Sequence, residues 1–279
     1  MDLYTTTSYR ASKLLTNAYS TSFGLSIRLF EASLRPHIYA IYGLVRIADE
    51  IVDTYDGTGK RNLLDSLEKE TEAAMLSGYS TNPIVHAFAQ TALQFSITKE
   101  LTAPFFESMR MDLVAQSYDQ KLYQTYIYGS AEVVGLMCLQ VFTVSQKEYN
   151  RFESAAKKLG SAYQKVNFLR DVADDADVLG RWYFPGCTKA TFDDAAKATI
   201  LEDIQKDFAA AKKGVDQLPL SSRKAVQLSY RYYSQLLKKL EKTSAAQLLQ
   251  QRVRISNPRK VALLVSTTVS RHKQGDSRA

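Results

Sequence analysis

NFLRDVADDAD, residues 167–177, carries a row of polar side chains at helical spacing. It places Asn167, Asp171 and Asp175 four residues apart, so on a helix these side chains lie above one another on one face. Because neighbouring carboxylates repel each other, such a row is unfavourable unless a positive charge compensates it. Mg²⁺ prefers oxygen ligands and would supply that charge. The stretch therefore predicts a helix that carries one half of a metal site.

A second row of polar side chains lies in HIYAIYGLVRIADEIVDTYD, residues 37–56. Tyr42, Arg46, Asp49 and Asp53 follow one another at spacings of four, three and four. The helix is otherwise apolar on nearly all sides, which indicates burial. Buried charges must be paired or bound to a metal, because an isolated buried charge is costly. Two Asp-xxx-Asp pairs on apolar helices, each with an arginine close by, predict facing walls that hold Mg²⁺ and a diphosphate.

Helical periodicity runs through almost the whole chain, and alternating strand patterns are scarce. Prolines at 83, 104 and 258 each precede an apolar periodic run, as is typical of the first turn of a helix. No internal repeat and no long linker is present, so we predict one all-α domain over residues 1–279. The predicted helices span residues 8–19, 33–54, 60–77, 83–95, 102–116, 121–143, 147–178, 193–214, 220–250 and 258–268.

The composition excludes several classes of protein. Hydrophobic residues make up 45% and charged residues 23%, as is usual in soluble globular proteins. Cys138 and Cys187 lack the spacing of a zinc site or a disulfide framework. No apolar run reaches the roughly 18 residues of a membrane span, and the start does not resemble a signal peptide, so we expect a cytoplasmic protein without a transmembrane segment. HExxH, phosphate-loop and dinucleotide-binding motifs are also missing.

Positive charge is concentrated near the end of the chain. The formal net charge is +7, and residues 252–279 contain seven Lys and Arg but one Asp. Such a segment favours phosphate-bearing partners, either a diphosphate substrate or an anionic membrane surface. Nucleic-acid binding is not expected, because no matching motif occurs. The last nine residues, RHKQGDSRA, are predicted to form a solvated basic tail.

Small residues interrupt the apolar helix predicted over residues 121–143. They are Gly129, Ser130, Ala131 and Gly135, and a glycine inside a helix costs about 1 kcal/mol relative to alanine. Two interpretations remain open. The helix leaves room for a long apolar ligand, or it packs closely against a neighbouring helix.

Several stretches together resemble the squalene/phytoene synthase family, the head-to-head isoprenoid condensing enzymes. RVRISNPRK, residues 252–260, is a weaker match, and the wording of AIYGLVRIADEIVD and GRWYFP is most similar to bacterial and carotenoid-type members. The resemblance implies the all-α isoprenoid synthase fold, with helices around a central cavity. The stronger matches are YSTSFG (19–24), RPHIYAIYGLVRIADEIVDT (35–54), YGSAEVVGLM (128–137) and LGSAYQKVNFLRDVADDADVLGRWYFP (159–185).

The resemblance also implies roles for individual side chains. Metal ligands would be Asp49, Asp53, Asn167, Asp171 and Asp175. The remaining implied site residues are Arg46 and Arg170 at the diphosphate, Ser20, Ser22 and Phe23 at the mouth of the cavity, Tyr42, Val133 and Gln164 lining it, and Tyr233 as a further lining tyrosine.

Some acidic residues near the predicted site have no role that the resemblance implies. Asp174 and Asp177 belong to the same acidic run but match no metal ligand, so we expect them to be solvated or to lie behind the ligands. Glu132 stands where members of the family often carry glycine, and we expect it to point away from the cavity.

The family reaction defines the expected activity. Mg²⁺, or Mn²⁺ in its place, would assist the head-to-head condensation of two geranylgeranyl diphosphates to a cyclopropyl diphosphate and then to phytoene, without NADPH. Squalene or dehydrosqualene synthesis from two farnesyl diphosphates is the alternative, because spacing does not reveal the depth of the cavity. A non-catalytic lipid-binding relative is a third interpretation, which the intact aspartate pairs disfavour. Peripheral attachment to the inner membrane face is compatible with lipid substrates and the basic C-terminus.

Overall fold

The computed structural model describes residues 1–114 and 118–269, and within those ranges it contains helices and no β-strand. The all-α prediction is confirmed. A π-helical turn, Glu50–Thr54, follows α3, a second one, Tyr128–Glu132, joins α7 to α8, and a short 3₁₀ helix spans Lys189–Thr191. The α-helices are α1 Leu3–Tyr19, α2 Thr21–Ile27, α3 Arg35–Asp49, α4 Lys60–Ser77, α5 Pro83–Gln94, α6 Lys99–Met111, α7 Gln120–Ile127, α8 Val133–Phe142, α9 Gln146–Asp177, α10 Asp194–Gln217, α11 Leu220–Glu241, α12 Ala245–Leu248 and α13 Asn257–Val269.

The predicted helices lie close to the observed ones, although α1 begins at Leu3, five residues before the predicted start at residue 8. Three further differences concern α2, the helix predicted over residues 220–250, and Pro104. Helix α2 was not predicted, because seven residues are too few to establish a periodicity; the Ser20 hydroxyl caps it by accepting a hydrogen bond from the Phe23 amide at 3.2 Å. The helix predicted over residues 220–250 ends at Glu241, because Ser244 and Gln247 form a capping box that starts α12. The segment after α12 returns to α9, where Arg252 contacts Asp171.

The position of Pro104 is the third of these differences between the predicted and observed helices. It lies inside α6 and not in the first turn, because the helix begins five residues earlier at Lys99, with Thr98 as its N-cap. Pro83 does occupy the first position of α5, where the Asn82 side chain accepts hydrogen bonds from the Ile84 and Val85 amides. The helix predicted over residues 102–116 ends at Met111, because residues 112–114 form a turn; residues 115–117 lie outside the described residues.

Two hydrophobic clusters form the core. The first core cluster joins side chains of α3, α4, α5, α6 and α8, with Phe88 and Phe106 fully buried in it. The second core cluster joins α7, the C-terminal half of α9, α10 and α11, with Val166 and Leu236 fully buried. Burial of these apolar side chains is the main force that holds the helices together. Helix α3, which carries the first aspartate pair, belongs to the first cluster, and α9, which carries the second pair, has its aspartate end in the second.

Close backbone packing explains the small residues of the π turn between α7 and α8. A Cβ atom built on Gly129 would lie 2.1 Å from the Pro104 carbonyl oxygen, and one built on Gly160 would lie 2.6 Å from the Ala131 carbonyl oxygen. Neither position tolerates a side chain, because backbone atoms cannot move aside cheaply. Close helix packing, the second of the two interpretations, therefore describes this segment.

Gly129→Ala is expected to destabilise the protein by about 1–3 kcal/mol, the usual cost of overpacking a well-packed interior. Urea unfolding would measure the change. Gly186→Ala is the control: its φ of 80° opposes a side chain, but no atom lies within 4 Å of the added Cβ. Its cost is therefore limited to the left-handed backbone, about 1 kcal/mol. Equal losses in the two variants would contradict the packing argument.

Among the described residues, one helical run is long and apolar enough to cross a membrane by length and composition alone. It is Gln120–Phe142, which comprises α7, the π turn and α8. One such helix does not contradict the expectation that the chain lacks a transmembrane segment. Half of its most apolar window is buried inside the protein, and core helices of soluble proteins pass the same test.

Candidate active site

The first wall of the candidate site is formed by the end of α3 and the π turn that follows it. Asp49 is the last residue of α3 and Asp53 lies in the turn, while Ala48 and Val52, the residues directly before them, are buried in the first core cluster. The turn is closed by a hydrogen bond of 2.9 Å from the Tyr55 amide to the Glu50 carbonyl. The burial of the apolar neighbours fixes both carboxylates on the opposite face.

Arg46 lies one turn before Asp49 and is surrounded by groups from three elements. Its guanidinium pairs with Glu50, lies 3.8 Å from the Asp49 carboxylate and stacks at 4.2 Å over the ring of Tyr19. Its Nε atom is buried and has no hydrogen-bond partner within the described chain. A buried donor without an acceptor is costly, so this side chain is set up to receive an anion.

Tyr42 begins the same stripe and connects it to α2. Its ring stacks on Phe23 with centroids 5.2 Å apart. Burial is the main cause that raises the pKa of Tyr42 to about 12. The charge of Arg46 and a hydrogen bond with Ser20 lower this pKa, and the charge of Asp49 raises it. The hydroxyl therefore stays protonated at neutral pH. Phe23, Tyr42 and Arg46 thus line one side of the same space.

The second wall is the face of α9 that carries the acidic stripe. Asn167 accepts a hydrogen bond from the Tyr233 hydroxyl at 3.4 Å, and the Tyr233 ring stacks on Tyr163 at 3.9 Å. Arg170 holds the neighbouring Asp171 carboxylate with two nitrogen donors, of which Nε lies at 2.8 Å. The amide, the carboxylate and their aromatic support therefore form one connected surface.

A second arginine reaches Asp171 from the C-terminal part of the chain. Arg252 follows α12, and its Nε and Nη2 atoms lie 2.6 Å and 3.1 Å from the two carboxylate oxygens. Asp171 is thus held by Arg170 and Arg252 together. Two forked guanidinium groups on one carboxylate bring positive charge to the place where a diphosphate would need it.

The two walls meet at Arg181 and Asp112. The Arg181 guanidinium lies 2.6 Å from an Asp53 oxygen and donates to the Asp112 carbonyl at 2.9 Å. Its backbone amide donates to the Asp175 carbonyl at 2.7 Å. The Asp112 carboxylate accepts hydrogen bonds from the hydroxyls of Tyr126 at 2.6 Å and Tyr183 at 2.8 Å. The Asp49–Asp53 and Asp171–Asp175 pairs are therefore brought to one region.

The electrostatics of this region agree with carboxylates that lie close together. Burial, followed by the charges of Asp171, Asp53 and Asp112, raises the pKa of Asp175 to about 8, although Arg181 lowers it. Burial likewise raises the pKa of Asp49 to about 7, opposed by Arg46 and reinforced by Asp53 and Asp112. Carboxyl groups that hold their protons near neutral pH lack sufficient positive charge around them.

These residues fit a site for Mg²⁺ and diphosphate on two counts. Asp49 and Asp175 need a cation, and the buried Nε of Arg46 needs an anion. Within residues 1–114 and 118–269, no three His, Cys, Asp or Glu side chains converge closely enough to hold an ion by themselves. Mg²⁺ commonly takes only one or two carboxylates and completes its shell with water and phosphate oxygens, so the five metal ligands stay a prediction.

The other predicted residues lie around this centre. Ser22 and Gln164 are half-buried on α2 and α9, and Val133 is fully buried at the start of α8. Their lining roles stay predictions. Asp174 is exposed and Asp177, also exposed, pairs with Lys189, in agreement with the expectation that neither is a metal ligand.

Glu132 lies near lysine side chains of α9. Burial raises the pKa of Glu132, which is half-buried, and the nearby Lys158 lowers it. Lys158 pairs with Asp207 of α10, so Glu132 faces a polar network between α9 and α10. The basic tail predicted over residues 271–279 lies outside the described residues.

Three functional candidates were missed at the level of sequence: Asp112, Arg181 and Arg252. Asp112 and Arg181 lie just after helices, and Arg252 lies in an extended segment, so helical spacing gives no signal for them. The resemblance covers Arg181 within GRWYFP and Arg252 within RVRISNPRK, but it assigned them no role. Only the fold places them against the aspartate pairs.

Comparison with known proteins identifies the family. The family model for squalene/phytoene synthase matches residues 16–259. The chain belongs to the squalene/phytoene synthase family. This family comprises prenyltransferases that condense their substrates head to head, and the chain is such an enzyme.

Individual members of the squalene/phytoene synthase family match over nearly their whole length. The chain is 27% identical to a 15-cis-phytoene synthase of Pantoea ananas over 89% of this chain and 87% of that protein. It is 30% identical to the chloroplastic phytoene synthase 2 of Solanum lycopersicum over 88% and 85%.

Solved structures share the isoprenoid synthase fold. A dehydrosqualene synthase superimposes with a TM-score of 0.80 at 21% identity, over 95% of this chain and 96% of that one. A squalene synthase from Alicyclobacillus acidocaldarius gives 0.75 at 20% identity, over 87% and 96%. The fold predicted from the resemblance is therefore confirmed.

Proposed function

We propose that this chain is a phytoene synthase that joins two geranylgeranyl diphosphates head to head in a Mg²⁺-dependent reaction. The observation that carries the reaction type is the meeting of two aspartate pairs beside Arg46, Arg170 and Arg252. The names of the relatives support the C20 substrate, since proteins from both bacteria and plants that match over 85–91% of their length are named phytoene synthases.

The charged residues of the chain would bind and orient the diphosphate. Asp49, Asp53, Asp171 and Asp175 would hold Mg²⁺, which supplies electrostatic stabilisation of the departing diphosphate when bound. The guanidinium groups of Arg46 and Arg170 would take phosphate oxygens that face them. Arg252 would exchange its hydrogen bonds to Asp171 for bonds to phosphate, because one guanidinium suffices to neutralise that carboxylate.

The aromatic residues would protect the cation that remains after the diphosphate leaves. The Phe23–Tyr42 and Tyr163–Tyr233 pairs present ring faces on the two sides of the site. Ring faces attract positive charge, most strongly where water is excluded. The first product would be a cyclopropyl diphosphate, whose second ionisation, rearrangement and proton loss give phytoene without a reductant.

Squalene or dehydrosqualene synthesis from two farnesyl diphosphates is the second candidate. Its support is the similarity to solved squalene and dehydrosqualene synthases, which at 20–21% identity bears on the fold alone. A non-catalytic lipid-binding relative is a weaker candidate, because both aspartate pairs are present. We further propose a cytoplasmic enzyme that meets its lipid substrates at the inner membrane face through peripheral contact.

Product analysis with each donor tests this proposal. Purified protein would be incubated with Mg²⁺ and either the C20 or the C15 diphosphate, with and without NADPH, and the hydrocarbon identified by mass spectrometry. The expected result is phytoene from the C20 donor in both conditions, and little hydrocarbon from the C15 donor. Squalene or dehydrosqualene as the main product would favour the second candidate, and no turnover of either donor would refute the enzymatic proposal.

A further inference from the structure

We propose that Arg181 is a positioning residue that fixes the separation between the two aspartate pairs, a role that rests on the proposed Mg²⁺–diphosphate chemistry. Arg181 follows α9 by four residues and is 8% exposed, so its guanidinium is almost entirely enclosed by protein. Within residues 1–114 and 118–269, the hydrogen bonds and ion pairs of its side chain all go to Val52, Asp53 and Asp112. Its place in the fold therefore points to alignment of those segments.

The contacts of Arg181 join three segments that each carry an aspartate. Nη1 lies 2.6 Å from Asp53, Nη2 donates to the carbonyls of Val52 at 3.2 Å and Asp112 at 2.9 Å, and the backbone amide donates to the Asp175 carbonyl at 2.7 Å. Across the described ranges, no other hydrogen bond or ion pair joins residues 35–59 to residues 160–190. Arg181 therefore supplies the direct polar link between these two walls within the described residues.

Asp112 provides the fixed point against which Arg181 works. Its carboxylate is held by the Tyr126 and Tyr183 hydroxyls and lies 3.8 Å from the Arg181 Nε. The Tyr183 ring is in turn stacked on Phe168 of α9, with centroids 4.1 Å apart. The guanidinium is thus locked on one side by a rigid buried network, and its other side sets the position of Asp53.

The geometry also leaves Asp53 able to bind a ligand. Arg181 contacts one carboxylate oxygen, and the Asp53 side chain remains 38% exposed. A partner that served only to neutralise Asp53 would gain more from a two-pronged contact with both oxygens. The single contact orients the carboxylate and leaves its second oxygen accessible.

Arg181→Lys tests this role, because lysine keeps the charge but loses the fork that reaches Asp53 and the two carbonyls. Binding of MgCl₂ together with inorganic pyrophosphate would be measured by calorimetry on the full chain, alongside the Mg²⁺ dependence of turnover. We expect the half-saturating Mg²⁺ concentration to rise about 10- to 100-fold, the usual effect of removing a group that orients metal ligands. The kcat at saturating Mg²⁺ should fall by less than that factor.

Arg110→Lys is the matched control. Arg110 is half-buried and, like Arg181, lies among carboxylates, but it pairs with Asp65, Glu68 and Glu107 and with none of the paired aspartates of the site. The Arg110→Lys variant should have a lower melting temperature than the unmodified protein and the same Mg²⁺ requirement. Tyr183→Phe, which loosens Asp112 while keeping Arg181, should raise the Mg²⁺ requirement in the same direction but less.

The outcomes separate the two levels of the proposal. If the unmodified protein binds Mg²⁺ and pyrophosphate but Arg181→Lys has the same Mg²⁺ requirement, or shares its change with Arg110→Lys, the positioning role is wrong and the proposed function stands. If the unmodified protein binds no Mg²⁺ and pyrophosphate and turns over no donor, both are wrong. A folded Arg181→Lys with a raised Mg²⁺ requirement, absent in Arg110→Lys, supports the role.

Discussion

Asp175→Asn is expected to abolish hydrocarbon formation and at the same time to raise the melting temperature of the metal-free protein at pH 8. Activity should fall by at least about 10²-fold, the scale of one lost electrostatic contact with charge that develops in a transition state. Stability should rise because burial and the neighbouring acids raise the pKa of Asp175 to about 8, so its ionised form is unfavourable in the folded state. A gain of roughly 1 kcal/mol corresponds to about 2–4 °C for a protein of this size.

Asp174→Asn is the control for this experiment, because Asp174 is the exposed neighbour of Asp175 on the same helix. It should change the stability by no more than about 0.5 kcal/mol, as surface substitutions usually do, and keep the activity. Calorimetric melting and product formation would be measured on the same preparations. An Asp175→Asn protein that retains activity would refute the metal role, and one that is less stable at pH 8 would refute the electrostatic argument.

Stability of the metal-free protein is expected to decrease by about 1–2 kcal/mol between pH 6.5 and pH 8. The folded state keeps protons on Asp49, with a pKa of about 7, and on Asp175, with a pKa of about 8, whereas the unfolded chain has already released them. Since the folded state binds more protons in this range, raising the pH favours unfolding. Below pH 6.5 the trend is offset, because burial lowers the pKa of His37 to about 4 and acidification then favours the unfolded state.

Urea unfolding in EDTA at the two pH values would measure this effect, and the Asp49→Asn/Asp175→Asn double variant should lose most of it. Mg²⁺ with pyrophosphate should stabilise the unmodified protein more at pH 8 than at pH 6.5, because cations and protons compete for the same carboxylates. A stability that rises across this interval in EDTA would contradict the assignment.

Site residues could be predicted from the sequence where they lie on the same helix. Asp49, Asp53, Asp171 and Asp175 could be paired from spacing, because residues four apart share a face and apolar neighbours show which face is buried. That inference needed no knowledge of how α3 and α9 approach each other. The family resemblance supplied that approach and the class of substrate.

Contacts made from outside the helices could not be predicted in this way. Arg181 reaches Asp53 across 128 positions of sequence, and Arg252 reaches Asp171 across 81. Such contacts depend on where a loop leaves a helix, which at Gly180 requires a φ of 65°. The position of Asp112 depends on two tyrosines from different segments. Each of these is a property of the assembled chain and of no local pattern.

The π turn at Tyr128–Glu132 has a consequence for how the chain can change its length. It lies in one continuous helical run whose residues Tyr123 and Tyr126 pack in the second core cluster, while Val133 and Leu136 pack in the first. A π turn holds one residue more than an α turn, and each residue of an α-helix rotates the next by about 100°. Deleting one residue here would therefore convert the π turn into an α turn and keep α7 and α8 in their present rotation, whereas a deletion within α7 or α8 would rotate the flanking side chains by about 100° out of their cluster. The π turn is therefore the one place in this helical run where a single residue could be lost without turning one half of the run away from its core cluster.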